Sequence, residues 1–311
     1  MLVAFLLTAA AASPAGQAMS RGEQLFQAAE WAKARAEFSG AVQRDDRDAR
    51  AHFYLGRLAL IDDDLETATA QLRRAVELED TVSGYHLWYG KAMTQQAMRT
   101  MNPMLAAGVM PQLERAVALD GRNIDARDAL LDFYSMAPAM MGGSTDKARE
   151  QAEAIARIDA MRGHVALGRL AVRAKDSTAV EREMNAAIAL APDSLRAYSG
   201  LAGWYVSQKQ WPMAFATLDR YVARRPGDPY GLYGIGRVAA VSGQELERGE
   251  RSLRSFLAKP PKDAAGPVIS TAYLRLGQVL EHEGRSGEAR AAYQQALASN
   301  PRNDEARKAL P

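Results

Sequence analysis

The chain has 311 residues, of which 48% are hydrophobic and 24% charged, a composition typical of a folded protein that excludes bulk disorder. Its 39 lysines and arginines stand against 37 aspartates and glutamates, so the formal charge of +2 provides no global attraction to nucleic acid or anionic lipid. The absence of cysteine excludes disulfides, thiol catalysis and cysteine-ligated zinc together.

Residues 1–18 read as a signal peptide. Leu2 to Ala12 is an apolar run, too short to span a bilayer as a helix, and small residues and turn formers follow at Ser13, Pro14 and Gly16. Cleavage is expected after Ala18, which places the mature chain in the periplasm or outside the cell; the alternative is a first helix that stays attached and a cytoplasmic location. Ser20 and Glu23 have the spacing of a capping box opening the first mature helix. No later window is long and apolar enough to cross a membrane.

From residue 19 onward the chain repeats itself. A template in Ala289, Tyr293, Ala296 and Pro301 recurs as Ala214, Leu218, Tyr221 and Pro226, as Val180, Met184, Ala187 and Pro192, and as Gly249, Leu253, Phe256 and Pro261. Its apolar part persists upstream in Ala34-Phe38-Ala41, Ala68-Leu72-Ala75, Val109-Leu113-Ala116 and Ala148-Ala152-Ile155. The first anchors of these eight copies, from Ala34 to Ala289, are spaced 34, 41, 39, 32, 34, 35 and 40 residues apart. About twelve residues before most copies a small residue sits among apolar ones, at Gly56, Gly90, Gly168, Ala202, Gly236 and Gly277. Both elements have the 3, 4 and 7 spacing of helices, so each unit is predicted to be two antiparallel helices whose close approach the small residue permits.

This pattern resembles the tetratricopeptide repeat family, most fully in Tyr198, Leu201, Ala202, Tyr205, Ala214, Leu218 and Pro226. The resemblance implies an all-α fold: a right-handed superhelical α-solenoid of about eight antiparallel helix pairs, with units near 19–48, 49–82, 83–123, 124–160, 161–194, 195–228, 229–263 and 270–303. One pair cannot bury its apolar face alone, so stacked neighbours must supply the core. The stub from Asp304 to Pro311 gives barely two turns of cap and is expected to fray.

Departures from the 34-residue period are informative, and two neighbouring units carry insertions. The third carries seven extra residues between Met93 and Pro111, predicted to turn at Asn102-Pro103 and to restart a helix near Pro111. The fourth inserts Ala137-Pro138 and Gly142-Gly143 before a helix start at Asp146. The same window holds Met93, Met98, Met101, Met104, Met110, Met136, Met140 and Met141, eight of the 13 methionines. Three readings stay open here: inserted segments packing on each other, an adaptable apolar surface for a partner peptide, and a thioether copper site using Met98, Met101, Met104, Met140 and Met141.

No nucleophile–base pair, HExxH, GxSxG or phosphate loop is present, so the chain reads as non-catalytic and without cofactor. His52, His86 and His164 recur at one repeat position and read as packing residues rather than ligands. The family resemblance places the first helices on a concave surface. It thereby implies a partner-binding groove containing Arg50, Arg57, Lys91, Arg162, Arg169, Arg173, Arg196 and Arg237, with Tyr230 and Tyr233, opposed by Asp125, Asp128 and Asp132 on one helical face. Arginines along such a wall suit carboxylates, so the expected partner is a protein or peptide with an acidic or C-terminal segment, not nucleic acid. An RNA-reading helical-repeat protein is the alternative from another class, disfavoured by irregular unit lengths and near-neutral charge.

Overall fold

A computed structural model describes residues 20–310, and among them the regular elements are helices, without a strand. The predicted leader, and cleavage after Ala18, lie outside the described residues. Eight helix pairs follow one another: α1 Arg21–Gln27 with α2 Trp31–Arg44, α3 Ala49–Ile61 with α4 Leu65–Leu78, α5 Ser83–Thr100 with α6 Pro103–Leu119, and α7 Ile124–Met136 with α8 Thr145–Ile158. They continue with α9 Ala160–Ala174 and α10 Ser177–Leu190, α11 Leu195–Ser207 and α12 Trp211–Arg224, α13 Pro229–Ser242 and α14 Leu246–Ala258, and α15 Gly266–His282 and α16 Ser286–Ser299. A short α17, Asp304–Ala309, ends the stack and buries Ala306. Among the described residues no helix is long and apolar enough to cross a membrane.

Local chemistry sets these boundaries. The side chains of Asp48, Asp64, Asn102, Asn123, Ser144, Asp159, Asp176, Asp228 and Asn303 each accept a backbone N–H at a helix start. At the N-terminal end Ser20 and Glu23 form a capping box: the Glu23 N–H donates to Ser20 Oγ at 3.3 Å and the Ser20 N–H donates to Glu23 Oε2 at 2.8 Å. Between the two helices of a pair the chain reverses through a left-handed residue: Ala29, Asp63, Met101, Lys175, Lys209, Gly243 and Gly284 all have positive φ.

Inside a pair, the small residue of the first helix lies against the large residue of the second. A Cβ added at Gly56 would fall 2.5 Å from Leu72 Cγ, and one at Gly277 would fall 2.3 Å from Tyr293 Cε1. The sequence template therefore records a physical contact, in which each bulky anchor fills the hollow left by a missing side chain. Leu72, Leu253 and Phe256 are fully buried, and Tyr293 is 1% exposed. Between pairs, first helices pack side by side along the stack, α5 on α7, α7 on α9, α9 on α11, α11 on α13 and α13 on α15, with no comparable packing from one second helix to the next. The stack consequently curves with its first helices inside. It curves far enough for its last pair to meet its second: Arg302 Nη1 donates to the Asp62 carbonyl at 3.2 Å and lies 3.9 Å from Asp64.

The third pair corrects one expectation. Its second helix starts at Pro103, not near Pro111, and Pro111 lies inside α6. Asn102 caps that start by accepting from the Met104 and Leu105 N–H groups, and Pro103 at the first helical position gives up only a hydrogen bond the helix could not have made there. The extra residues lengthen both helices, to 18 residues in α5 and 17 in α6 against 13 and 14 in α3 and α4. In the fourth pair the insertion makes a single 3₁₀ turn at Ala139–Met141, and Ser144 then caps α8.

Candidate partner-binding groove

The lengthened α5 and the insertion after α7 wall off one cleft on the inner surface, about 870 Å³ in volume. Its floor comes from four successive first helices: Trp88, Lys91, Thr94 and Gln95 of α5, Asp125, Asp128 and Asp132 of α7, Arg162 and Arg169 of α9, and Arg196 of α11. Met98, Phe133, Met136, Pro138 and Met141 form an apolar side of the same cleft, which runs on into an adjoining recess of about 470 Å³ reaching Met101 and Val109.

The charged floor is mostly self-neutralised. Asp125, Asp128 and Asp132 are spaced by 3 and 4 residues on α7, while Arg162, Arg169 and Arg173 are spaced by 7 and 4 on α9, so neighbouring helices present matching rows. Arg162 donates to Asp125 at 2.5 Å and to Asp128 at 2.6 Å. Arg169 reaches Asp128 at 3.2 Å and also pairs with Asp132, which lies 3.7 Å from Arg173. Burial on its own would raise the Asp125 carboxyl, but the Arg162 hydrogen bond and charge outweigh it and hold Asp125 below its ordinary value.

Further along the wall the cations differ. Arg57 carries no carboxylate partner among the described residues; its guanidinium lies 4.4 Å from the ring centres of both Phe26 and Trp88, with Phe53 at 5.5 Å and Tyr54 at 5.9 Å. Its buried Nε has no hydrogen-bond partner, and burial lowers its affinity for the proton. Lys91 stands 4.7 Å from the Trp88 ring, and burial lowers its ammonium pKa against the opposing pull of Asp125 and Asp128. Neither Lys91, Arg196 nor Arg237 makes an ion pair among the described residues.

Of the residues predicted for the groove, Lys91, Arg162, Arg169 and Arg196 surround this cleft, and Arg57 adjoins it through Trp88. Arg173 closes the ladder beside it. Arg50 is elsewhere, paired at 2.5 Å with the buried Glu23. Tyr230 and Tyr233 belong to the seventh pair, where both pack on Phe256 and the Tyr230 hydroxyl donates to Asp263 at 3.1 Å. Sequence reasoning missed Trp88 and Phe133, and it counted Met136 in the methionine window without placing it in a site. Trp88 stands three residues before Lys91, the helical spacing that could have flagged it.

The methionines divide by role. Met93 is buried, and Met110 fills the space beside Gly142, so these two pack the inserted segments together. Met98, Met101, Met104, Met136 and Met140 are exposed by 61, 83, 85, 55 and 93%, and they are five of the eight exposed large hydrophobic side chains among the described residues. The recurrent histidines brace the stack. His52 bonds Gln71 at 2.6 Å and the Asp46 carbonyl at 3.0 Å, His86 repeats this with Gln112 and Asp80, and His164 contacts Glu183 at 2.7 Å. Among the described residues no group of three histidine, aspartate or glutamate side chains is arranged to hold a metal ion.

Comparison with known proteins agrees with this architecture. The tetratricopeptide repeat model matches residues 20–81, 165–229 and 233–309, more than half of the chain, and the unmatched interval between the first two stretches holds the lengthened third pair and the interrupted fourth. The cellulose synthase operon protein C of Pseudomonas fluorescens (strain SBW25) is 28% identical over 231 residues, covering 71% of this chain and 17% of that protein, so the chain spans a small part of that relative's length. Among solved structures, yeast Tom70 superposes with a TM-score of 0.64 at 13% identity, over 91% of this chain and 57% of its own. A tetratricopeptide repeat protein from Parabacteroides merdae gives 0.50 at 13% identity, over 84% and 97%. At such identities these structures share the fold alone. Anchors repeated in register, eight stacked helix pairs and the family match together establish that the chain belongs to the tetratricopeptide repeat family, a family of protein-interaction scaffolds that are generally non-catalytic.

Proposed function

We propose that this chain is an exported, non-catalytic scaffold that holds a carboxylate-bearing segment of a protein partner against the inner wall of its stack. The observation that carries this reading is the state of the wall's cations. Arg57 and Lys91 are partly stripped of water and stacked on Trp88, with no carboxylate paired to either. A partly desolvated cation with no carboxylate in contact costs free energy in the free protein, and an anionic ligand recovers part of it. The paired arginines of α9 serve a different purpose: they fix α7 against α9 and so set the shape of the floor. Export rests on the apolar run from Leu2 to Ala12.

The test is chemical crosslinking in the native cell, comparing the intact chain with a Lys91→Glu, Arg196→Glu, Arg237→Glu variant. The reading expects specific neighbours to be lost from the variant; an unchanged set of neighbours sinks the groove. Cell fractionation tests export separately, and a chain confined to the cytosolic side with its leader intact would remove that part.

A further inference from the structure

The cleft has two halves, and the reading above uses only one of them. Its other half is the methionine side, which the tetratricopeptide packing does not require: α5 and α6 are longer than their counterparts in the second pair, and the added turns carry Met98, Met101 and Met104 outward. From the facing wall the α7 terminus and its 3₁₀ turn bring Met136, Pro138 and Met141 to the same recess. Met98, Met101 and Met136, exposed by 55 to 83% and gathered on two walls of one concavity, oppose the usual tendency of such groups to be buried. Methionine is also the side chain that adapts most readily to the shape of an incoming group.

The occupant follows from what adjoins this shelf. Lys91 and Arg196 line the same cleft as Met98 and Met136, while the three aspartates between them are already engaged by α9 arginines. Cations free to take an anion therefore stand beside an apolar recess. A volume of about 870 Å³ lies within the range of ligand-binding clefts, enough for several side chains.

We propose that the third and fourth helix pairs form a two-part recognition site for one peptide segment of a protein partner. Two or three large apolar side chains of that segment fill the methionine recess, and a carboxylate adjacent to them lies on Lys91 and Arg196. The proposal rests on the groove reading given under Proposed function and adds the apolar half of the specificity, the adjacency of the two features and their location. It also gives the lengthened third pair a role: its extra turns build one wall of the recess.

The experiment is selection of a bead-displayed library of random octapeptides with free carboxyl ends on the intact chain, on a Met98→Gln, Met136→Gln variant and on a Lys91→Met, Arg196→Met variant. Met98 and Met136 are more than half exposed, so their replacement by a side chain of similar length leaves the packing in place; circular dichroism of all three proteins checks this. The intact chain is expected to enrich large apolar residues next to a terminal or side-chain carboxylate. The methionine variant should lose about tenfold or more in affinity for those peptides, and the cation variant should lose the carboxylate preference while keeping the apolar one.

If the methionine variant selects the same peptides with the same affinity while the cation variant fails, the groove reading stands and the two-part site falls. Failure of the intact chain to select any peptide overturns both. Two other occupants would overturn the peptide site: cuprous ion, shown by a tight titration abolished in the methionine variant, and a second copy of the chain, shown by concentration-dependent association that the same variant abolishes.

Discussion

Asp128→Asn removes one charge from the middle of the ladder that joins α7 to α9 and leaves the side-chain shape unchanged. The Asp128 carboxylate takes bonds from Arg162 at 2.6 Å and Arg169 at 3.2 Å, with side-chain exposures of 15, 18 and 29% for the three residues. An exposed pair contributes about 0 to 1 kcal/mol, and breaking a fully buried one costs about 3 to 5 kcal/mol. These exposures lie between the two cases. Arg162 keeps Asp125 and Arg169 keeps Asp132, so the loss falls toward the lower end, about 1.5 kcal/mol. Stability is local in a stacked array, and amide exchange reads it helix by helix. Exchange in α7 and α9 should accelerate by roughly tenfold while α13 to α16 stay as they were. Adding Arg169→Gln should then cost less than the two single changes together, with a coupling of about 1 kcal/mol. Unaltered exchange in α7 and α9, or strictly additive effects, would refute the ladder as a structural element.

Other consequences can be checked independently. Burial raises the Glu23 carboxyl, yet the Ser20 N–H, the Tyr54 hydroxyl and the Arg50 charge together hold it below its ordinary value of 4.5. A carboxyl lowered by folding stabilises fully above the unfolded value and progressively less as pH falls through the folded one. The first helix pair, followed by the fluorescence of Trp31 against Phe26, should therefore loosen progressively as the pH falls below 4.5. Glu23→Gln should flatten that acid slope and cost about 1 to 2 kcal/mol at neutral pH; an unchanged acid midpoint contradicts this. Lys209 holds a left-handed φ of 56°, so Lys209→Gly should raise the unfolding free energy read from a urea titration by about 0.5 to 1 kcal/mol, and a fall would show that its side chain contributes contacts instead. The contact of Arg302 with Asp62 and Asp64 is exposed and weak, so salt of about 1 M, or Arg302→Ala, should enlarge the radius of gyration in X-ray scattering. An unchanged radius would mean that helix packing alone sets the curvature.

The repeat was legible because its template is a steric record. Gly56 lies on Leu72 and Gly277 on Tyr293, so a missing side chain and a large one recur at fixed spacing in sequence as they do in space. Methionines in the third and fourth units were legible as a cluster, but not as two populations. Whether Met93 is buried and Met101 exposed depends on how far α5 extends, and Asn102 and Pro103 decide that rather than Pro111. Charge was the least legible feature. Arg162 and Asp128 are separated by 34 residues, and the register between two first helices, set by the packing of whole pairs, determines that they meet. From sequence alone the arginines of α9 looked available to a ligand; in the folded chain α7 already supplies their carboxylates, and of the cations predicted for the groove those without an ion pair among the described residues are Arg57, Lys91, Arg196 and Arg237.

That the inner, first-helix face of the stack is the binding face can be tested most directly by where a partner touches. The chain has no cysteine, so single cysteines can be placed at Gln95 inside the cleft and at Arg251 on a second helix, where the side chain is 70% exposed. With a photoreactive benzophenone attached at each site in turn and the protein returned to its native compartment, the account predicts a discrete protein adduct from position 95 and none from position 251. The same adduct from position 251, with nothing trapped at position 95, would contradict it.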